Sequence, residues 1–232
     1  MEHHYSILYG PVNALAKKFG IYIPDHVIMA LLVLLISLIV FPLITRRLSK
    51  DDPGPLQQVL ELLVQGLKGL LEDIVGHGAG NRFLHIIGAF TVFIFLSNIL
   101  GQFYFLQPPT ANVNVTFALS LAAFLYYNFV GIRTQGPIKY LKHFMGPVLL
   151  IAPLMFVIEL IGHFARILSL GMRLFGNITG EHTATGIFMG IFPVLLPWAM
   201  QALGIFGATL QTFVFIMLTM VYIGGAVTAE EH

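Results

Sequence analysis

The sequence predicts an all-α, polytopic integral membrane protein, and three observations carry that prediction. Hydrophobic side chains make up 57% of the 232 residues and charged ones only 10%, with a mean hydropathy of +0.85. Such a chain has too little polar surface to coat a water-soluble globule. Apolar runs extend from residue 27 almost to the C-terminus, leaving no segment large enough for an independent soluble core. The lysines and arginines also alternate between connectors in the way a multi-pass membrane chain requires. One membrane domain spanning residues 1–232 is therefore expected.

Residues 27–45 form an almost unbroken apolar run, long enough for one spanning helix, with Pro42 near its end predicting a kink. Arg46, Arg47 and Lys50 follow at once. The positive-inside tendency puts them in the cytoplasm and the N-terminus outside. Met1-Glu2-His3-His4-Tyr5 has no basic n-region and no short apolar core, so no removable signal peptide is expected and the first span serves as its own insertion signal. His3 and His4 are read as a solvated tail, as is Glu230-Glu231-His232.

Asp51-Asp52-Pro53-Gly54-Pro55 is a breaker cluster. Residues 56–75 then place Leu56, Val59, Leu60, Leu63, Leu67, Leu70, Leu71 and Ile74 at helical spacing against Gln57, Glu61, Lys68, Glu72 and Asp73. This predicts an amphipathic helix at the cytoplasmic interface, against a neighbouring subunit or packed on its own protein. Residues 83–132 read as a two-span hairpin, Phe83 to Leu100 and Val115 to Ile132. Its connector from Gln102 to Asn114 contains Pro108-Pro109 and no lysine or arginine, so it lies outside. The next connector, with Arg133, Lys139, Lys142 and His143, returns to the cytoplasmic side. Asn98, Gln102 and Asn128 read as helix-to-helix hydrogen-bond donors.

Residues 147–225 hold apolar stretches at 148–161, 184–200 and 202–225, separated by polar residues that do not resemble ordinary loops. Placed on one helix, residues 159–181 bring Glu159, His163, Arg166, Ser169, Arg173, Asn177 and Glu181 within about 80° of the direction of Arg173. His182 points away. A charge at mid-membrane costs about 2.5–3.5 kcal/mol on insertion scales, so several on one face need water, partners or a function. Glu and His can exchange protons, whereas Arg stays cationic and serves as a fixed charge. A structural alternative pairs Arg173 with Glu159 or Glu181 to hold helices together.

Other function classes find less support. The net charge of +1 gives no field for nucleic acid, and the absence of cysteine removes disulfides, thiolate metal sites and a cysteine nucleophile. Neither an HExxH helix nor a GxSxG elbow occurs, and Glu159 with His163 forms only an ExxxH pair, so no catalytic residue, metal site or cofactor is expected. A secondary transporter or cation channel is the competing class, but no paired inverted halves are visible.

The run Ser169-Leu170-Gly171-Met172-Arg173-Leu174-Phe175-Gly176-Asn177 resembles the signature of ATP synthase subunit a, with Arg173 on the family's defining arginine. Gln211 in Leu210-Gln211-Thr212-Phe213-Val214-Phe215, the ending Leu218–Ile223, and Pro109-Thr110-Ala111 with Asn114-Val115-Thr116 are similar to further family segments. The resemblance runs from about residue 83 to the C-terminus. It implies a proton-translocating stator subunit of the membrane sector, with two offset aqueous half-channels that meet a rotating c ring. The implied neighbours are that ring, the peripheral-stalk b subunits, membrane lipid and, indirectly, the F1 catalytic head; no nucleic acid is implied. Arg173 would separate the half-channels, Glu159 and Gln211 would line them, and Glu181 or His182 would supply the other titrating group. Relatives with a histidine on the last helix would carry it at the position of Gly204. Arg166 keeps a supporting or cytoplasmic-rim role, because the proline that many relatives carry next is Ile167 here. The resemblance also implies two long, strongly tilted C-terminal helices and a multi-pass position in a bacterial plasma membrane.

Overall fold

The computed structural model describes residues 6–20, 22–46, 48–49, 53–103, 105–143, 152–191 and 195–228. His3-His4, Arg47, Lys50, Asp51-Asp52, Pro147 and the Glu230–His232 tail lie outside the described residues.

The described residues form helices and connectors, with no strand among them. Helix α1 (Tyr9–Ala16) precedes α2 (Asp25–Thr45), α3 (Pro55–Val75), α4 (Ala79–Leu100), α5 (Val113–Gln135), α6 (Pro137–His143), α7 (Ala152–Ile191) and α8 (Leu195–Thr228). Helices α2, α4, α5, α7 and α8 are each long and apolar enough to cross a membrane. The chain is thus a multi-pass integral membrane protein. Connectivity sends α2, α5 and α8 in one sense and α4 and α7 in the other, so Thr45, Ala79, Gln135, Ala152 and Thr228 gather at one end. That end carries Arg46, Arg82, Arg133 and Lys139 and is called the basic end below.

Local sequence explains the breaks. Pro55 begins α3 at the first helical position, where its missing N–H costs nothing. Between α3 and α4, Gly76 and Gly78 adopt φ of 116° and 82°, which L side chains rarely take, so the chain can reverse. Asn112 caps α5, its Oδ1 accepting from the Asn114 N–H at 2.9 Å. Helices α1 and α6 were not expected from the sequence. Helix α1 is held by paired contacts between Asn13 and the backbone of Ile23, at 2.9 and 3.0 Å, and by Ser6 bonded to Asp25 at the start of α2.

The core is a contiguous apolar cluster from α3 (Leu67, Leu71, Val75), α4 (Phe83, Ile87, Phe90, Ile94), α5 (Ala123, Tyr127, Val130), α7 (Leu170, Leu174, Ile178) and α8 (Phe215, Ile216, Met220, Ile223). Gly171 lets α7 approach α5 closely, since a Cβ there would lie 3.0 Å from Ser120 Oγ and 3.4 Å from the Thr116 carbonyl. Helix α3 packs on α4 and α8 through its C-terminal half, while Leu56, Val59 and Leu62 near its start stay exposed. Half of the apolar window of α8 is buried inside the protein but only 17% of that of α7. Helix α8 is central, and α7 presents a broad open face that includes Ile161, Phe164, Leu168 and Met172.

Residues 159–181, read as one helix, lie on one: α7 runs unbroken for 40 residues through Glu159–Glu181. One boundary differs from the sequence reading: among the described residues α7 ends at Ile191 and α8 begins at Leu195, both inside the apolar stretch 184–200, and Gln201 lies within α8. A helix satisfies its own backbone, so polar side chains do not interrupt it where they turn to a cleft instead of lipid. At about 1.5 Å per residue, α7 and α8 measure about 60 Å and 51 Å, well beyond a hydrocarbon core of about 30 Å. Helices of that length fit the membrane only when strongly inclined. Leu174 and Ile178, on the apolar side of α7, belong to the core.

Candidate functional site

The polar residues of α7 form three separate positions along one helix axis. Toward the basic end, Glu159, His163 and Arg166 meet Tyr127 of α5, Tyr140 of α6 and Tyr222 of α8 around a cleft of about 280 Å³. Glu159 Oε1 is shared between Arg166, at 3.2 Å, and His163 Nε2, at 3.5 Å. The Arg166 guanidinium also lies over the Tyr222 ring, 5.4 Å from its centroid. His163 is buried, and its Nδ1 is 2.9 Å from the Tyr127 hydroxyl. Both members of the Glu159–Arg166 pair remain more than a third exposed, so the pair is worth no more than about 1 kcal/mol and can open readily. The Tyr140 hydroxyl donates to Asn128 Oδ1 at 2.8 Å, and burial pushes its pKa up to about 12. Tyr140 is thus a neutral donor, not a phenolate, at any physiological pH.

At the middle of α7, Arg173 is exposed and has no ion pair or hydrogen-bond partner among the described residues. Leu170, Leu174 and Ile178, almost fully buried, fix this orientation by taking the inward stripe of the helix. Neither carboxylate of the expected ion-pair alternative is engaged with Arg173: Glu159 pairs with Arg166, and Glu181 bonds to Gln102. Ser169 and Asn177 share the exposed side. One turn beyond Arg173, Asn177 Nδ2 donates to Oε1 of Gln211, which is 1% exposed. Gln211 Nε2 has no hydrogen-bond partner among the described residues. An unpartnered charge gains nothing from the fold to offset the cost of placing it at membrane depth.

The third position lies toward the opposite end. Gln102 Nε2 donates to Glu181 Oε1 at 2.8 Å, and Gln201 of α8 donates to the Gln102 carbonyl. A Cβ on Gly204 would collide with Glu181 Oε1 and with the Gln102 amide, and one on Gly207 would lie 3.6 Å from Glu181 Oε2. The carboxylate therefore fills the space left by two glycines of α8. His182 is exposed and makes no hydrogen bond to this group among the described residues. Close by, Asn98 accepts from Thr110 Oγ1 at 2.7 Å and reaches the Ala208 carbonyl at 3.4 Å, pinning the 3-10 turn Pro109–Ala111 to α4 and α8.

Sequence reasoning missed Tyr127, Tyr140 and Tyr222 as neighbours of Glu159; it read Gln102 as a helix-to-helix donor, which it is, but did not find Glu181 as its partner. An aromatic residue within an apolar span carries no signal of its partner, and Gln102 stands 79 positions from Glu181. Among the described residues no three His, Cys, Asp or Glu side chains converge as a metal site.

Arg173 stands about 21 Å along the axis from Glu159 and about 12 Å from Glu181, which are turned to different neighbours. Fold and site together define a multi-pass membrane protein with two acidic positions on α7 and, between them, Arg173, a cation unpaired among the described residues. Residues 27–224 match the family described as ATP synthase A chain. The chain is similar to ATP synthase subunit a of a Nitratiruptor species, 40% identical over 92% of this chain and 96% of that one. It is also similar to ATP synthase subunit a of Geotalea uraniireducens, 40% identical over 90% and 89%, and to ATP synthase subunit a 1 of Syntrophotalea carbinolica, 44% identical over 89% and 87%. The chain belongs to the ATP synthase A chain family, and so to the proton-translocating membrane sector of an F-type ATP synthase.

Proposed function

We propose that the chain is the stator half of a proton turbine, and that Arg173 is the fixed charge between two half-channels. The observation that carries this reading is the guanidinium itself, exposed on the open face of α7 with no partner among the described residues of its own chain. A membrane-depth cation left unpaired by its own fold is complementary to carboxylates brought by another subunit. The occupant of that face is a ring of carboxylate-bearing c subunits, with peripheral-stalk b subunits and lipid at other surfaces and the catalytic head acting at a distance.

In this reading the half-channel at the basic end runs past Glu159, and the one at the opposite end past Glu181, with Gln211 and Asn177 bordering Arg173. Glu181, aimed at α8 and held by Gln102, is the exchanging group, and His182 is not. A protonated ring carboxylate entering beside Glu181 loses its proton near Arg173, passes the guanidinium as an anion, and is reprotonated on the Glu159 side. The permanent charge opposes direct passage of protons between the two sides. The basic end lies in the cytoplasm of a bacterial cell and the N-terminus outside, as the distribution of lysine and arginine favours. The chain contributes no catalytic site of its own.

The test is proton flux in liposomes that hold the chain with its ring and stalk but no catalytic head, compared for the native protein and Arg173→Ala. The expected result is flux that requires the ring, with Arg173→Ala abolishing ATP-driven pumping in the full complex while leaving or raising passive leak. Conduction by the isolated chain, with Arg173→Ala lowering only folded yield, would overturn the reading.

A further inference from the structure

Between Glu159 and the core lies a contact that the turbine reading does not use. Tyr127 is 2% exposed and His163 is 6% exposed, yet the phenol oxygen and Nδ1 are 2.9 Å apart. The rings sit 5.8 Å apart at 34°, and Phe124 packs edge-on to the imidazole at 6.0 Å, so aromatic neighbours hold the His163 ring in one orientation. Neutral imidazole has one donor and one acceptor nitrogen, and the partner of one nitrogen decides the role of the other.

We propose that Tyr127 and His163 are positioning residues for Glu159: the Tyr127 hydroxyl donates to His163 Nδ1, which leaves the proton on Nε2 and aims that N–H at the Glu159 carboxylate. The inference rests on the reading of Glu159 as a half-channel carboxylate. At 3.5 Å the Nε2–Oε1 contact is too long for a strong hydrogen bond, so His163 steers the carboxylate without locking it. Arg166 attracts the same oxygen from the other side at 3.2 Å. Glu159 is thereby suspended between two donors, one set by Tyr127 and the other stacked on Tyr222. The groups facing His163 are Tyr127 from α5, Tyr140 from α6, Tyr222 from α8, and Glu159 and Arg166 from its own helix. Protonation of the ring would make Nδ1 a donor and force the Tyr127 hydroxyl to turn and accept, so flux gains a pH dependence that passes through Tyr127.

The test measures ring-dependent proton flux per assembled complex against pH on the basic-end side. The variants are Tyr127→Phe, His163→Gln, their combination, His163→Leu and Glu159→Gln. Tyr127→Phe keeps the ring and removes one hydroxyl; the expected result is about a twofold to tenfold loss of flux and a displaced pH profile. His163→Gln keeps an N–H near the Nε2 position without needing Tyr127, so it should retain more flux than His163→Leu, and adding Tyr127→Phe to it should cause no further loss. A native profile in Tyr127→Phe, or losses that multiply in the double variant, would overturn the inference while Glu159→Gln still lowers flux. Native flux in Glu159→Gln would overturn the half-channel reading of Glu159 and this inference with it.

Discussion

The carboxylate of Glu181 on α7 lies against the bare Cα of Gly204 on α8, in the space a side chain at position 204 would fill. The two positions are complementary: one supplies the acid and the other supplies room for it. Gly204→Ala should therefore displace Glu181 from Gln102. The colliding atoms are the ends of flexible side chains, so the cost in stability should stay within about 1 kcal/mol. Assembled complex should form in normal yield while proton flux falls. Moving the acid across the gap, with Glu181→Ala and Gly204→Glu together, should restore part of the flux lost in Glu181→Ala alone.

Arg173 makes no hydrogen bond or ion pair among the described residues that its removal would break. Arg173→Gln should leave the thermal stability of the isolated chain unchanged or raise it, because a charge at membrane depth that its own chain does not pair costs about 2.5–3.5 kcal/mol. ATP-driven proton pumping by the assembled complex should disappear. A drop in melting temperature comparable to that of a core truncation would instead mark Arg173 as a structural residue.

Asn177 supplies the hydrogen bond that Gln211 Oε1 receives inside the protein. Asn177→Ala should cost about 1–3 kcal/mol, the penalty for a buried acceptor left unpaired. Adding Gln211→Met removes the orphaned amide and should recover part of that loss, a non-additivity that a double-mutant cycle by thermal unfolding would read directly.

Tyr140 gives the protein an alkaline limit. Its phenol is raised to about 12 in the folded chain against an ordinary 10, so above pH 10 the folded state holds a proton that the unfolded state has lost. The contribution is fully present below pH 10 and is lost as pH rises toward 12. Thermal unfolding followed from about pH 9 to 11 should show a shallower decline for Tyr140→Phe than for the native chain.

The first three spans were legible because lipid contact writes itself into hydropathy: residues 27–45, 83–100 and 115–132 fall inside α2, α4 and α5. The 56–75 segment likewise coincides with α3, whose apolar stripe at Leu67, Leu71 and Val75 meets the core. In the last third, Glu159, His163, Arg166, Arg173, Asn177 and Glu181 interrupt the apolar pattern without interrupting the helix. Average hydropathy cannot tell a polar loop from a polar stripe. Helical arithmetic did place those residues on one side of one helix, but it could not divide them. The division depends on Tyr127, Gln102 and Gly204, which come from other helices or their ends. No local pattern records that Arg166, rather than Arg173, lies beside Glu159.

Because α7 runs from Ala152 to Ile191 without a break, it works like a camshaft, with the timing of its lobes set by residue count alone. One residue inserted between Arg173 and Glu181 would turn everything beyond it by about 100° and advance it by about 1.5 Å. Four residues would bring the direction back to within about 40° yet displace it by about 6 Å. No contact elsewhere could reset that phase, so lengthening this helix anywhere between Glu159 and Glu181 would mistime one acidic position against the other, even if every side chain were kept.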